Sequence, residues 1–176
     1  SSVEARENSS VVAWGNVFVR LFSALSIKAS AHVSIMVHGK AKTLIGGKRT
    51  QANVPKTPKQ WCDHYAVEVT KGVAVLYKAL NDGFVSPHGT SYAPGTIPVA
   101  ADWDGGKQEC GGGLHFSPHP QMALSFNRRA KLFAACPVAL KDIVVHSDGQ
   151  YPEKIKAKGC CAPVWQVDRK GNKVEG

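Results

Sequence analysis

Residues 2–49 read as six successive octads: SVEARENS (2–9), SVVAWGNV (10–17), FVRLFSAL (18–25), SIKASAHV (26–33), SIMVHGKA (34–41) and KTLIGGKR (42–49). The second place of each octad holds Val3, Val11, Val19, Ile27, Ile35 and Thr43, and the fourth holds Ala5, Ala13, Leu21, Ala29, Val37 and Ile45. Glu4, Arg20 and Lys28 stand between them, so side chains alternate in and out as along a strand. Ser, Asn and Gly near the octad junctions supply turn residues. One such unit cannot bury its apolar face alone, whereas stacked copies can. The repeat therefore predicts a narrow β-solenoid, or a β-shaft shared between chains, over residues 1–47. The chain starts inside an octad with no capping segment. A bare solenoid end is an unpaired strand edge, so the expectation is either a fragment of a longer array or an end closed by another copy.

Working outward, KRTQANVPKTPK makes residues 48–56 a polar linker. Thr57-Pro58-Lys59-Gln60 then has the pattern of a helix start, with Thr as N-cap and Pro in the first position, and predicts a helix over 58–64. AVEVTKGVAVLYKAL reads as two strands around a Thr-Lys-Gly turn. Residues 81–112 are rich in Gly and Pro and read as loop. Leu114–Phe116 is a short strand. Ser117 is expected to cap a helix that contains Pro118 and Pro120 and runs through Phe126. Further strands are expected at 131–137, 142–146, 154–158 and 163–168. The whole is mainly β, a solenoid followed by an α+β domain over 57–170 with short helices and long loops, and then a frayed tail over 171–176.

The chain has 176 residues and a formal charge of +9. The charge favours an anionic or protein partner. No apolar run approaches the roughly eighteen residues of a membrane span. The N-terminal stretch, with Glu4, Arg6 and Glu7, is unlike a signal peptide, so a cytoplasmic protein is expected. The stretch KIKAK puts Lys154, Lys156 and Lys158 on one strand face, which reads as a solvated face or a guarded edge. Cys62, Cys110, Cys136, Cys160 and Cys161 resemble no disulfide framework and are expected as reduced thiols. Trp103 between Asp102 and Asp104 reads as an anchoring loop aromatic. The repeats predict a homo-oligomer.

Chemical groups are densest in ECGGGLHFSPH, residues 109–119. Cys110, His115 and His119 are candidate metal ligands, with Cys62, His64 or Cys136 as a possible fourth, but no Cys-x-x-Cys pair supports them. His115 could instead serve a nucleophilic Cys or Ser. Gly111–Gly113 precedes a strand, so it is not a phosphate loop, which opens a helix.

Two family resemblances attach to these residues. GLHFSPHPQMALSF, with Gly113, Phe116, Ser117, Ala123 and Phe126, resembles the central motif of ADP-ribosyltransferase-like folds. VLYKAL resembles their upstream strand, although Lys78 stands where Arg or His is usual. Glu153 is the one match to their late acidic residue, in surroundings unlike the usual motif. This resemblance implies NAD as cofactor and a site of Lys78, His115, Ser117 and Glu153. Lys78 and Ser117 would hold the phosphates and ribose. Tyr92 or Phe116 would stack on nicotinamide beside Tyr77, and Glu153 would orient a ribose hydroxyl. Across nearly the whole chain, Trp61-Cys62, Val73–Ala79, Trp103–Pro120 and Cys161–Arg169 resemble an uncharacterised family of actinobacteria and their phages, which implies a phage-related context, in the bacterial host cytoplasm or virion-associated, and no stated activity. The expected function is a structural or interaction protein whose β-repeat stalk presents a small binding domain. The alternative is a transferase-like or nucleotide-binding domain acting on host factors.

Overall fold

The computed structural model describes residues 1–146 and 149–174 and is mainly β, with few and short helices. The chain divides into two compact units. The first comprises Ser1–Val54 and the described residues of Ser147–Pro152. The second comprises Pro55–His146 and the described residues of Glu153–Gly176. Among the described residues, no helix is long and apolar enough to cross a membrane.

In the first unit, strands β1 (Ser2–Ala5) and β2 (Ser10–Ala13) both pair in parallel with β3 (Phe18–Gln51). Ser2 faces Phe18 and Ser10 faces Ser26, so partners lie two octads apart. A straight strand the length of β3 would span roughly 110 Å at ~3.3 Å per residue. It does not run straight: the Ser34 amide donates to the Val17 carbonyl at 3.0 Å, and Ala52 donates to Val37 at 2.8 Å. Side chains at two-octad spacing lie over one another. The Phe22 ring stacks on His38 with centroids 4.6 Å apart, and the Arg6 guanidinium sits 4.0 Å from the Phe22 ring centre. Tyr151 donates its hydroxyl to Glu7 at 2.9 Å, and Arg6 bonds the Gln150 carbonyl.

The buried centre of this unit is built from octad places two and four: Ala5, Ala13, Val19, Leu21, Ile27 and Ile35, joined by Ala24 and Val33. Val3 and Ile45, at the two ends of the series, are exposed. Strand structure continues to Gln51, past the expected boundary at residue 47 and into the expected linker.

Among the described residues, the second unit holds two antiparallel sheets. In one the order is β10 (Trp165–Val167), β7 (Leu132–Ala139), β5 (Val73–Leu80) and β4 (Val69–Thr70). In the other, β9 (Ile155–Ala157) lies between β6 (Leu114–Phe116) and β8 (Ile143–Val145). Helix α1 (Pro58–His64) begins as its sequence requires: Pro58 opens it and the Thr57 hydroxyl accepts from the Gln60 amide at 3.3 Å. It delivers Trp61 and Cys62 to a core that includes Leu76, Leu80, Tyr92, Phe116 and Ile155.

Three expectations are corrected here. Helix α2 is only Pro120–Ala123, and its N-cap is His119, whose Nδ1 accepts from the Gln121 amide at 3.2 Å, not Ser117. Ser117 instead exchanges two backbone hydrogen bonds with Tyr77, at 2.9 and 3.0 Å, and so ties β6 to β5. The lysine face of KIKAK is not solvated. Because β9 is a central strand, Lys156 is fully buried and Lys154 nearly so, while Lys158 alone is exposed. Finally, the expected frayed tail is tied down through residue 174. Asp168 accepts from the Lys170 and Asn172 amides, and Val174 donates to the Gln166 carbonyl at 3.1 Å. Residues 175–176 of that expectation lie outside the described residues.

Candidate functional site

The Tyr77–Ser117 bridge is the structural device that makes the site. By joining β5 to β6 it sets Lys78 beside His115, and the Lys78 ammonium donates to the His115 carbonyl at 2.7 Å. These residues open on a cavity of about 640 Å³ in the second unit. Tyr77, Tyr92, Phe116 and Phe126 give it aromatic walls, and the loop residues Ser86, His88 and Thr90 complete one side. Such a volume suits a small organic ligand.

Two lysines reach this cavity. Lys78 lies 5.7 Å from the Tyr92 ring centre and, among the described residues, has no carboxylate partner. Burial pushes its ammonium pKa down to about 8; the Cys136 thiol opposes the shift and the Lys154 charge adds to it. Lys154 enters from the start of β9, 5.6 Å from the Phe126 ring centre, and its ammonium is 3.6 Å from the Cys110 sulfur. Asp102 is the one carboxylate of the wall among the described residues, and it already accepts the Gly113 amide at 3.1 Å.

His115 contacts the Glu109 carbonyl through Nε2 at 3.1 Å. A carbonyl can only accept, so Nε2 carries the proton and Nδ1 keeps its lone pair. Burial first, then the charges of Lys154 and Lys78, push its pKa down to about 4. The ring is therefore neutral at pH 7. Burial also raises the Tyr92 phenol well above its ordinary value, so Tyr92 acts as a wall and not as an acid. Among the described wall residues, Lys78 and Lys154 outnumber the one carboxylate, Asp102. A cationic, aromatic-walled pocket can hold an anion joined to a planar ring.

The structure thus brings together Tyr77, Lys78, Tyr92, His115, Phe116 and Ser117, together with Cys110. It leaves Glu153 out of the wall. Glu153 is buried next to Lys154 in sequence, but only the lysine lines the cavity. Ser117 presents its backbone to Tyr77, as described above. Among the described residues, no group of three His, Cys, Asp or Glu side chains is placed to hold a metal ion. His119 spends its Nδ1 on the α2 cap. Cys62 lies in the core, where burial raises its thiol to about 11, and Cys136 is pushed up the same way, which disfavours the thiolate a metal requires.

Sequence reasoning missed Lys154, Phe126, Asp102 and Asn127 as wall residues. Lys154 was visible as part of an alternating lysine run, yet nothing local marks one lysine of three as facing a cavity. The comparisons add no further residues: no family model, no curated protein and no solved structure matches the chain.

Proposed function

We propose that the second unit is a binding head whose cavity takes an anionic ligand carrying a planar ring, of the nucleotide class, in a phage-related protein. One observation carries this reading: Lys78, Lys154 and four aromatic side chains line a cavity in which, among the described residues, the single carboxylate, Asp102, is already bonded to backbone. The head binds rather than transfers, because Glu153, the acidic residue the transferase-like alternative needs, is not in the wall.

In the same proposal, residues 1–54 form a β-solenoid stalk wound two octads to the turn, which presents the head. The parallel register and the Arg6–Phe22–His38 column at that spacing support the winding. The exposed Val12 and Trp14, at 60% and 73%, fit a stalk that assembles with further copies.

Calorimetric titration with AMP and with adenosine tests the head. The two ligands share a ring and differ by the phosphate. AMP is expected to bind and adenosine to bind at least tenfold more weakly. Lys154→Met should remove most of that difference while leaving the far-ultraviolet circular dichroism unchanged. Equal affinity for the two ligands, or heat from neither, would refute the reading.

A further inference from the structure

Resting on the binding reading above, we propose that Lys78 is a nucleophile that captures aldehydes or ketones bearing an anionic group as a reversible imine, with Lys154 holding the anion. The geometry places all the parts in one cavity. Lys78 is fixed at the join of β5 and β6 by the His115 carbonyl, a neutral acceptor that leaves the amine free to shed its proton. Among the described residues no carboxylate acts on its charged form, and the aromatic face of Tyr92 lies beside it. Lys154, lining the same cavity, provides the second cation that disfavours protonation of Lys78 and attracts the anionic end of a substrate. An amine desolvated beside another cation is how a lysine becomes nucleophilic near neutral pH. With its pKa near 8, about a tenth of the Lys78 side chains are neutral at pH 7.

The step balances without a redox partner. Lys78 first loses a proton to water. Its nitrogen lone pair then attacks the carbonyl carbon, giving a carbinolamine. Loss of the carbonyl oxygen as water leaves a carbon–nitrogen double bond, and hydrolysis reverses the sequence. Nothing is oxidised or reduced.

Pyridoxal 5′-phosphate is a suitable probe, since it combines a planar ring, a phosphate and an aldehyde. Pyridoxine 5′-phosphate, which lacks the aldehyde, reports binding alone. The full chain is incubated with pyridoxal 5′-phosphate, reduced with borohydride, digested and mapped by mass spectrometry. The adduct is expected on Lys78 at least tenfold faster than on any exposed lysine. Its rate should rise with pH and level off above about 8, whereas an ordinary ammonium keeps gaining reactivity to about pH 10. Lys78→Arg keeps the charge but has no nucleophilic amine, and should lose the adduct at this position.

Binding of pyridoxine 5′-phosphate with labelling spread evenly over exposed lysines would overturn the imine and leave the binding reading intact. Failure of pyridoxine 5′-phosphate to bind would remove the binding reading and the imine with it. If Lys78→Arg does not fold, the mapped site and pH profile of the unaltered chain still decide the question.

Discussion

Lys156→Ala should lower the stability of the second unit by about 3 kcal/mol, and Lys156→Met by no more than about 1 kcal/mol. The side chain is fully buried on the central strand β9, and its stem fills the space beside Gly113 and Trp103. Its ammonium bonds Asp104 at 3.0 Å, while Asp104 remains half-exposed and also accepts the Gly106 and Gly112 amides. Truncation to alanine opens a hole in a sheet that the rest of the core cannot close. Methionine keeps the volume and loses only the charge, and Asp104 can turn to solvent. The energetic weight of Lys156 therefore lies in packing. Urea midpoints of the two variants check this. Equal losses would put the weight on the charge instead.

The second large effect tests the return of the repeat chain upon itself. Gly46 has φ +73°, and a Cβ placed there would meet the Ala29 carbonyl oxygen at 2.0 Å. Gly46→Ala therefore combines left-handed strain of about 1–2 kcal/mol with a backbone clash of similar size, about 3 kcal/mol in all. Gly15 has φ +69° and nothing within 4 Å of its Cβ position. Gly15→Ala should cost only the strain, about 1 kcal/mol. Hydrogen exchange at the Ser34 and Ala52 amides reports the local loss, because both donate across the return. Equal exchange in the two variants would mean that Gly46 does not lie against the preceding pass of the chain.

What the sequence disclosed follows a physical line between local and long-range information. The octads are local, and they placed Val19, Leu21, Ile27 and Ile35 in a core correctly. The Thr57–Gln60 cap is local too, and the helix starts where it says. The lysine run of β9 misled because exposure depends on strand order, and β9 draws its neighbours from residues 114–116 on one side and 143–145 on the other. Nothing within KIKAK encodes that. Ser117 misled for a related reason: its backbone was committed to Tyr77, forty residues earlier, which pushed the helix start to His119. The same bridge explains why Lys78 and His115, chosen from separate motifs, share one cavity. Glu153 was selected by its order along the chain, yet its neighbour Lys154 is the one that faces the cavity.

That neighbouring pair also decides between binding and transfer. The most direct test is a calorimetric titration with NAD, run together with an assay for released nicotinamide, on the unaltered chain, Lys154→Met and Glu153→Gln. A binding head predicts saturable heat, weakened at least tenfold by Lys154→Met, unchanged by Glu153→Gln, with no nicotinamide released. Absence of heat, or nicotinamide release that Glu153→Gln abolishes, would contradict it.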